Sequence, residues 1–359
     1  MVYTEYDPLE EIIVADCYSP GDLDHLFDNK SLYSFNKILE ETKEDFNNLA
    51  NFLAEAGITV KRPDVFRYPN HIQMHGFNVE FPMAPTVPRD QYKILGQTII
   101  QTYTSLTDRY FDSLSYYNIF SGLFNEGYNW ISQAAPPLLP ISSNELWYMP
   151  NHEGTVYNTR LKDRVLFHTA TMFPVGDKVI INSEGPGNRK GYEWLKRNLK
   201  DFEFVENTGG HMENYGHIDH GFVMIDDETV IHSGIEWVPE SLRHLHQIDV
   251  EKFVPKPKTK EYKRDYVDAG GRYSLEWIEK YLGNWKGYNQ DVCFDLNVLV
   301  IDRNNIIFGR ELPELFRYLK KFGVECHVCE QRHMLYWEGG IHCSTLDTKR
   351  RGSYRPIIS

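Results

Sequence analysis

A chain of 359 residues with 41% hydrophobic and 14% aromatic side chains can bury a sizeable core, and 25% charged residues is the globular norm, which excludes wholesale disorder. A formal charge of −13 excludes nucleic acid and anionic lipid as main partners and suits a soluble enzyme or binding protein, with a cationic small ligand one option. The five cysteines (Cys17, Cys293, Cys326, Cys329 and Cys343) are odd in number and unevenly spaced, so they read as reduced thiols rather than a disulfide framework. With no basic start and apolar core at the N-terminus, and no apolar run of membrane-spanning length, the expected location is the cytoplasm.

In chain order, LEEIIVADC reads as a short strand bounded by YDP and SPGD. NKILEETKEDFNNLANFLAEAGI carries apolar residues at helical spacing and stops at Gly57, and ITVKRPD follows as a strand and turn. QYKILGQTIIQT reads as two short strands around Gly96, and VGDKVIINSEG, GFVMIDDETVIHSG and DLNVLVIDRNNIIFG repeat that picture. RELPELFRYLKKFGVECHVCE closes the last such unit with a helix, a glycine stop and a strand. Strand pairs alternating with single helices make an α/β chain, without the strand–helix–strand rhythm of a doubly wound sheet. Neither GxGxxG nor GxxxxGK[ST] occurs, so no phosphate-cradling loop and no cofactor is expected. FVPKPKTKEYKRDYVDAGGRY reads as an exposed connection, and no linker divides the chain: the expectation is one domain, 1–359, built from structural repeats.

Three polar clusters stand beside apolar strands: VPRDQYKIL with Asp90, NYGHIDHGFVMI with His217 and Asp219, and YWEGGIHCSTLDTKRRG with Cys343. In an extended segment residues two apart point the same way, so His217 and Asp219 are expected to face one pocket. A thiol, an imidazole and two carboxylates form a coherent set. Cysteine attacks as the thiolate, an imidazolium lowers its pKa and can protonate a leaving amine, and carboxylates hold a planar guanidinium through paired hydrogen bonds. The bland alternative is a cysteine that only packs and an HxD pair in a surface turn.

Together these stretches resemble the amidinotransferase family nearly end to end. EYDPLEEIIV is similar to its opening strand, VPRD to its PRD motif, GHIDHGF to its HID motif and GGIHCSTLDTKRRG to the motif around its nucleophile, all in the family's order. The resemblance implies an α/β propeller of five ββαβ-type modules about a pseudo-fivefold axis, with the site in the central channel. It implies that Cys343 attacks the guanidino carbon of a donor, usually arginine, leaving an amidino-cysteine that an amine acceptor resolves. His217 would protonate the departing amine and then deprotonate the acceptor, while Asp90 and Asp219 would bracket the guanidinium. Dimers are common in the family, so a homodimer is expected.

The chain departs from the family where an aspartate should stand beside the catalytic histidine: LFHTATMFPVGD puts His168 there. Neutral His168 could still accept a hydrogen bond from His217, or Glu213 could supply the carboxylate. The family's arginine for the donor carboxylate falls on Glu236, and its serines before MNVL fall on Gln290 and Asp291. Acids at those places repel a carboxylate and suit a donor or acceptor that carries amines. Cys326, Cys329 and His333 have the spacing of half a zinc site but lack the second pair, and the HID motif accounts for the cluster of His211, His217 and His220, so no metal is expected. Lys349, Arg350 and Arg351 are expected to be solvated or paired with acids. The expected activity is amidino transfer; the alternatives are hydrolysis of a guanidine on the same scaffold and a catalytically silent binder.

Overall fold

Short apolar strands and one-faced helices combine here into one recurring unit: an antiparallel strand pair, then a connection that brings a third strand back parallel. The computed structural model describes residues 1–26, 29–67, 72–74, 77–79, 83–103, 109–135, 150–151, 154–155, 165, 167–182, 189–207, 217–254, 295–337 and 339–358. Strand β1 (Leu9–Val14) leads to helix α1 (Asn29–Glu55) and to β2 (Thr59–Lys61), parallel to β1. The ribbon of β3 (Ile72–Met74) and β4 (Phe77–Val79) follows. Next, β5 (Tyr92–Leu95) and β6 (Thr98–Gln101) pair antiparallel around Gly96, and α2 (Asp112–Asn125) carries the chain to β7 (Asn129–Ser132), parallel to β6. After the short pair β8 (Pro150–Asn151) and β9 (Gly154–Thr155), the pattern recurs in β10 (Met172–Val175), β11 (Lys178–Ile181), α3 (Arg189–Asn198) and β12 (Glu203–Glu206).

Strands β13 (Phe222–Met224), β14 (Thr229–His232) and β15 (His246–Asp249) repeat it with one-turn 3-10 helices in place of the α-helix. A further copy is β16 (Leu299–Asp302), β17 (Asn305–Phe308), α4 (Pro313–Leu319) and β18 (Glu325–Val328). Helix α5 (Met334–Trp337) then leads to β19 (Thr345–Arg350), which pairs antiparallel with β1. The last strand thus gives the first unit the partner that every other unit takes from its own hairpin. Five three-stranded sheets share this order among the described residues. Their middle strands β6, β11, β14 and β17 all show one half-buried residue followed by three buried ones, as strands covered on both faces do.

The strand pairs fall where the alternating apolar runs put them. Helix α1 begins at Asn29, ahead of the periodic stretch, and ends as expected: Gly57 adopts φ +83°, and Ile58 N–H donates to the Leu53 carbonyl at 3.0 Å. Residues 255–294, which hold most of the Pro- and Lys-rich connection, lie outside the described residues. No helix among the described residues is long and apolar enough to cross a membrane.

Buried charge joins the two ends of the chain. Arg350 donates to Asp347 at 2.8 Å and to the carbonyls of Asp7 at 2.5 Å and Val300 at 2.7 Å. Arg89 donates to Glu5 at 2.9 Å, to Asp347 at 3.2 Å and to the His342 carbonyl at 2.7 Å, and Lys93 also bonds Glu5. The two neighbours of Arg350 in sequence pair instead near the surface, Lys349 with Glu11 and Glu126, and Arg351 with Glu10. Replacing Arg350 with Met leaves two buried carbonyls without a donor and strips one cation from Asp347. The expected loss is about 3 kcal/mol or more of unfolding free energy, read by urea denaturation.

Candidate functional site

The turn before each sheet's outer strand carries a polar side chain toward one buried point. Asp90 ends the 3-10 turn Pro88–Asp90 before β5, His168 caps the turn Thr169–Thr171 before β10, and His217 caps the turn Ile218–His220 before β13. Asn297 directly precedes the fold of Val298 into β16, and Cys343 lies in the turn before β19. Four of these turns are closed by the same backbone bond, from Gln91 to Pro88, Thr171 to His168, Gly221 to Ile218 and Thr345 to His342. All four continue into antiparallel pairs by comparable bonds, from Thr102 to Gln91, Asn182 to Thr171, Ser233 to Gly221 and Ala15 to Ser344.

Cys343 is held, not loose. Its N–H donates to Asn297 Oδ1 at 3.0 Å, the N–H of His342 donates to the Asn297 carbonyl at 3.2 Å, and Thr345 Oγ1 donates to the Ile341 carbonyl at 2.8 Å. The glycine pair before it is required by space. A Cβ on Gly340 would stand 2.8 Å from Asn297 Oδ1, and one on Gly339 would stand 2.7 Å from Cys343 Cβ. The thiol is 1% exposed. Sγ donates to Asp219 Oδ2 at 3.3 Å, takes a contact from Asn297 Nδ2 at 3.0 Å, and stands 3.8 Å from His220 Nε2.

Electrostatics divide the site into two acids and a thiol. Burial pushes the Cys343 thiol well above its ordinary range, Asp219 and Asp90 push it further, and Asn297 opposes them. Burial would also raise Asp219, but the His342 hydrogen bond and the charges of His220, His342 and His217 outweigh it and hold the carboxyl well below its usual range. Asp90 is lowered in the same way against burial, by His217, Arg109 and His168. Arg109 anchors it, donating to Asp90 Oδ2 at 2.5 Å, to Asp112 at 3.0 Å and to the Val87 carbonyl at 2.8 Å. Each acid keeps one oxygen, Asp90 Oδ1 and Asp219 Oδ1, buried and without a hydrogen-bond partner among the described residues. Such oxygens are costly unless a donor arrives.

His168 Nδ1 lies 3.0 Å from His217 Nε2, and His217 Nδ1 faces Asp90 Oδ1 at 3.7 Å. Burial, then the charge of His217, drives His168 down to about 3, so it meets His217 as a neutral ring. One ring donates and the other accepts.

The structure brings Cys343, Asp219, Asp90, His217 and His168 together, by a route that differs from the sequence expectation. His217 and Asp219 share a 3-10 turn rather than an extended segment. With three residues per turn His217 and His220 meet edge to face, ring centroids 5.8 Å apart, while Asp219 turns to the thiol. Glu236 lies exposed on the one-turn helix Ile235–Trp237, its carboxylate beside Gly234. Asp291, Gln290, Glu213 and His211 lie outside the described residues. His333 turns to Glu41 on α1 at 2.8 Å. Sequence reading missed Arg109, Asn297, His220, His342 and Glu5 as members of the site. Asn297 and His342 had a signal, since both sit in the motif stretches LNVL and GGIHC, whereas Arg109 had none. Two groups, Asp90 with His168 and His217, and Asp219 with His217 and His220, offer ligand atoms within 4.8 Å of one another. These walls face any cation that enters, and an organic guanidinium satisfies the unpaired carboxylate oxygens through its own N–H groups.

Known proteins resemble the chain over nearly its whole length. No family model matches the chain. Inosamine-phosphate amidinotransferase 1 of Streptomyces griseus is 25% identical over 369 residues, covering 97% of this chain and 96% of that protein. The L-arginine:L-lysine amidinotransferase of Pseudomonas savastanoi pv. phaseolicola is 23% identical, covering 99% of this chain and 96% of that one. Among solved structures, an amidinotransferase of the saxitoxin biosynthetic pathway from Microseira wollei shares the fold, with a TM-score of 0.74, 19% identity and 99% of both chains covered. The described turns of this α/β chain gather a thiol, imidazoles and paired acids at one buried place. Over nearly its whole length the chain is similar to amidinotransferases.

His168 yields a prediction. A histidine held neutral in the folded state resists a proton that the unfolded chain accepts. Its contribution is therefore present above pH about 6.5 and is lost as pH falls toward 3. Replacing His168 with Asn removes this penalty. Between pH 6.5 and 4.5 the variant is expected to lose about 2 kcal/mol less stability than the parent, measured by denaturation at each pH.

Proposed function

We propose that the chain moves an amidino group from a guanidino donor to an amine acceptor, with Cys343 as nucleophile. The observation that carries this is the pair of buried carboxylate oxygens of Asp90 and Asp219 that accept no hydrogen bond among the described residues, beside a thiol that burial and those acids push up. A guanidinium between them supplies both the missing hydrogen bonds and the positive charge that favours thiolate. Sulfur attacks the guanidino carbon, the C–N bond to the donor amine breaks, and the proton lost by the thiol leaves on that amine through His217. In the second half an acceptor amine attacks the amidino-cysteine, its N–H proton passes to His217, and the sulfur leaves to regain a proton. Asp90 stabilises the imidazolium form of His217, and His168 orients the ring.

The donor of one relative, the arginine:lysine enzyme, is arginine by name. Glu236 and Asp291 are read here as acids near the far end of the substrates, favouring amines over the carboxylate of free arginine. The five similar sheets, with β19 closing on β1, support reading the chain as one domain with its modules about a pseudo-fivefold axis. A cytoplasmic homodimer completes the proposal. Intact-protein mass spectrometry after incubation with arginine, and separately with agmatine, tests it. The expected result is an amidino-sized gain that is absent in Cys343→Ala, with guanidino products once an amine is added. Ureido products would mean hydrolysis, and neither adduct nor released amine from any guanidine would leave a silent binder.

A further inference from the structure

Asp219 Oδ2 meets the thiol, and the same oxygen is gripped by a residue the reaction does not use. His342 Nδ1 lies 2.8 Å from Asp219 Oδ2, and His342 Nε2 lies 3.0 Å from Glu5 Oε2. Glu5 in turn holds Lys93 and Arg89 on its other oxygen. All of these side chains are buried. Burial alone would raise Glu5, yet Lys93, His342 and Arg89 keep it well below the usual carboxylate range, and Asp219 is held low as well. An ionised carboxylate only accepts hydrogen bonds, so both bonds exist together only if both His342 nitrogens carry hydrogen. Glu5 is then the anion that keeps the second hydrogen on His342, and His342 is the fixed donor that turns Asp219.

We propose that Glu5 and His342 are positioning residues which hold Asp219 ionised, with Oδ2 fixed by donors and Oδ1 directed at the guanidinium. The proposal rests on the guanidine-transfer reading above. The groups facing Asp219 are Cys343 and His342 from the nucleophile turn, His217 and His220 from its own turn, Asn297 before β16, and Arg89 from the turn before β5. Those facing Glu5 are Lys93, Arg89 and His342, with Asp347 sharing Arg89. The remaining carboxylate contact of His342 is Asp219 itself.

Glu5→Gln is a sparing probe. Its amide oxygen can accept from Lys93 and its amide N–H can donate to His342 Nε2, so the bonds persist while His342 gives up one hydrogen. Asp219 then keeps its contacts but loses a cationic partner, and it takes up a proton at higher pH. The acid limb of kcat/KM for the guanidino donor is expected to move up by about one pH unit, with the donor KM rising up to about tenfold on that limb and kcat changed less. An unmoved acid limb in a folded Glu5→Gln protein overturns the proposal. The second measurement needs neither a variant nor turnover: 15N spectra of histidine-labelled parent protein, with His342→Gln used only to pick out the resonances. Two protonated ring nitrogens at His342 at neutral pH are expected, and a singly protonated ring overturns the proposal even if Glu5→Gln fails to fold. Because the spectra are taken without substrate, they stand or fall separately from the transfer reaction.

Discussion

Everything in the site depends on the guanidinium of Arg89. It leaves the turn before β5 and reaches Glu5 near the first strand, Asp347 on the last strand and the carbonyls of His342 and Thr345 beside the nucleophile. A buried cation with this many fixed acceptors cannot shift without stranding charge at both ends of the chain. Asp90 is its immediate neighbour in sequence, so the same anchor that sets the Cys343 turn also sets the carboxylate opposite. The distance between acid and nucleophile is therefore governed by a residue that touches neither reacting group.

Around that anchor the site is built from deficits. Asp90 and Asp219 are each tied by one oxygen and left short on the other, and the thiol is held in its protonated form by burial and by those same acids. A planar guanidinium, singly charged but with N–H groups on three nitrogens, is a species that can settle all of them together. The neutral imidazole of His168 fits this accounting. It adds no third anion beside Asp90 and Asp219, it supplies a hydrogen bond to His217, and it leaves Asp90, at 3.7 Å, as the charge partner of that ring.

Much of this was legible from the residues. Alternating apolar runs located the strand pairs, Gly57 and Gly323 marked helix ends, and the PRD, HID and GGIHC stretches pointed to the acids, the histidine and the thiol before any coordinates. The rest was hidden for two reasons. The turns before the strands are 3-10, a period that strand alternation does not anticipate, so His220 came to lie beside His217 along with Asp219. Long-range pairs also leave no local trace: Arg109 differs from any surface arginine only because Asp90 and the Val87 carbonyl meet it, and Glu5 only because Lys93, Arg89 and His342 converge on it.

The pairing of β1 with β19 has a temporal meaning. The nucleophile stands just before the final strand, and its neighbour His342 meets Glu5 across 337 positions of sequence. Contacts of such separation form late, after the intervening sheets have narrowed the search. During synthesis the first strand emerges without its antiparallel partner and waits for nearly the whole chain to leave the ribosome. The turn that holds Cys343 is thereby completed only in a molecule whose other described sheets are already in place.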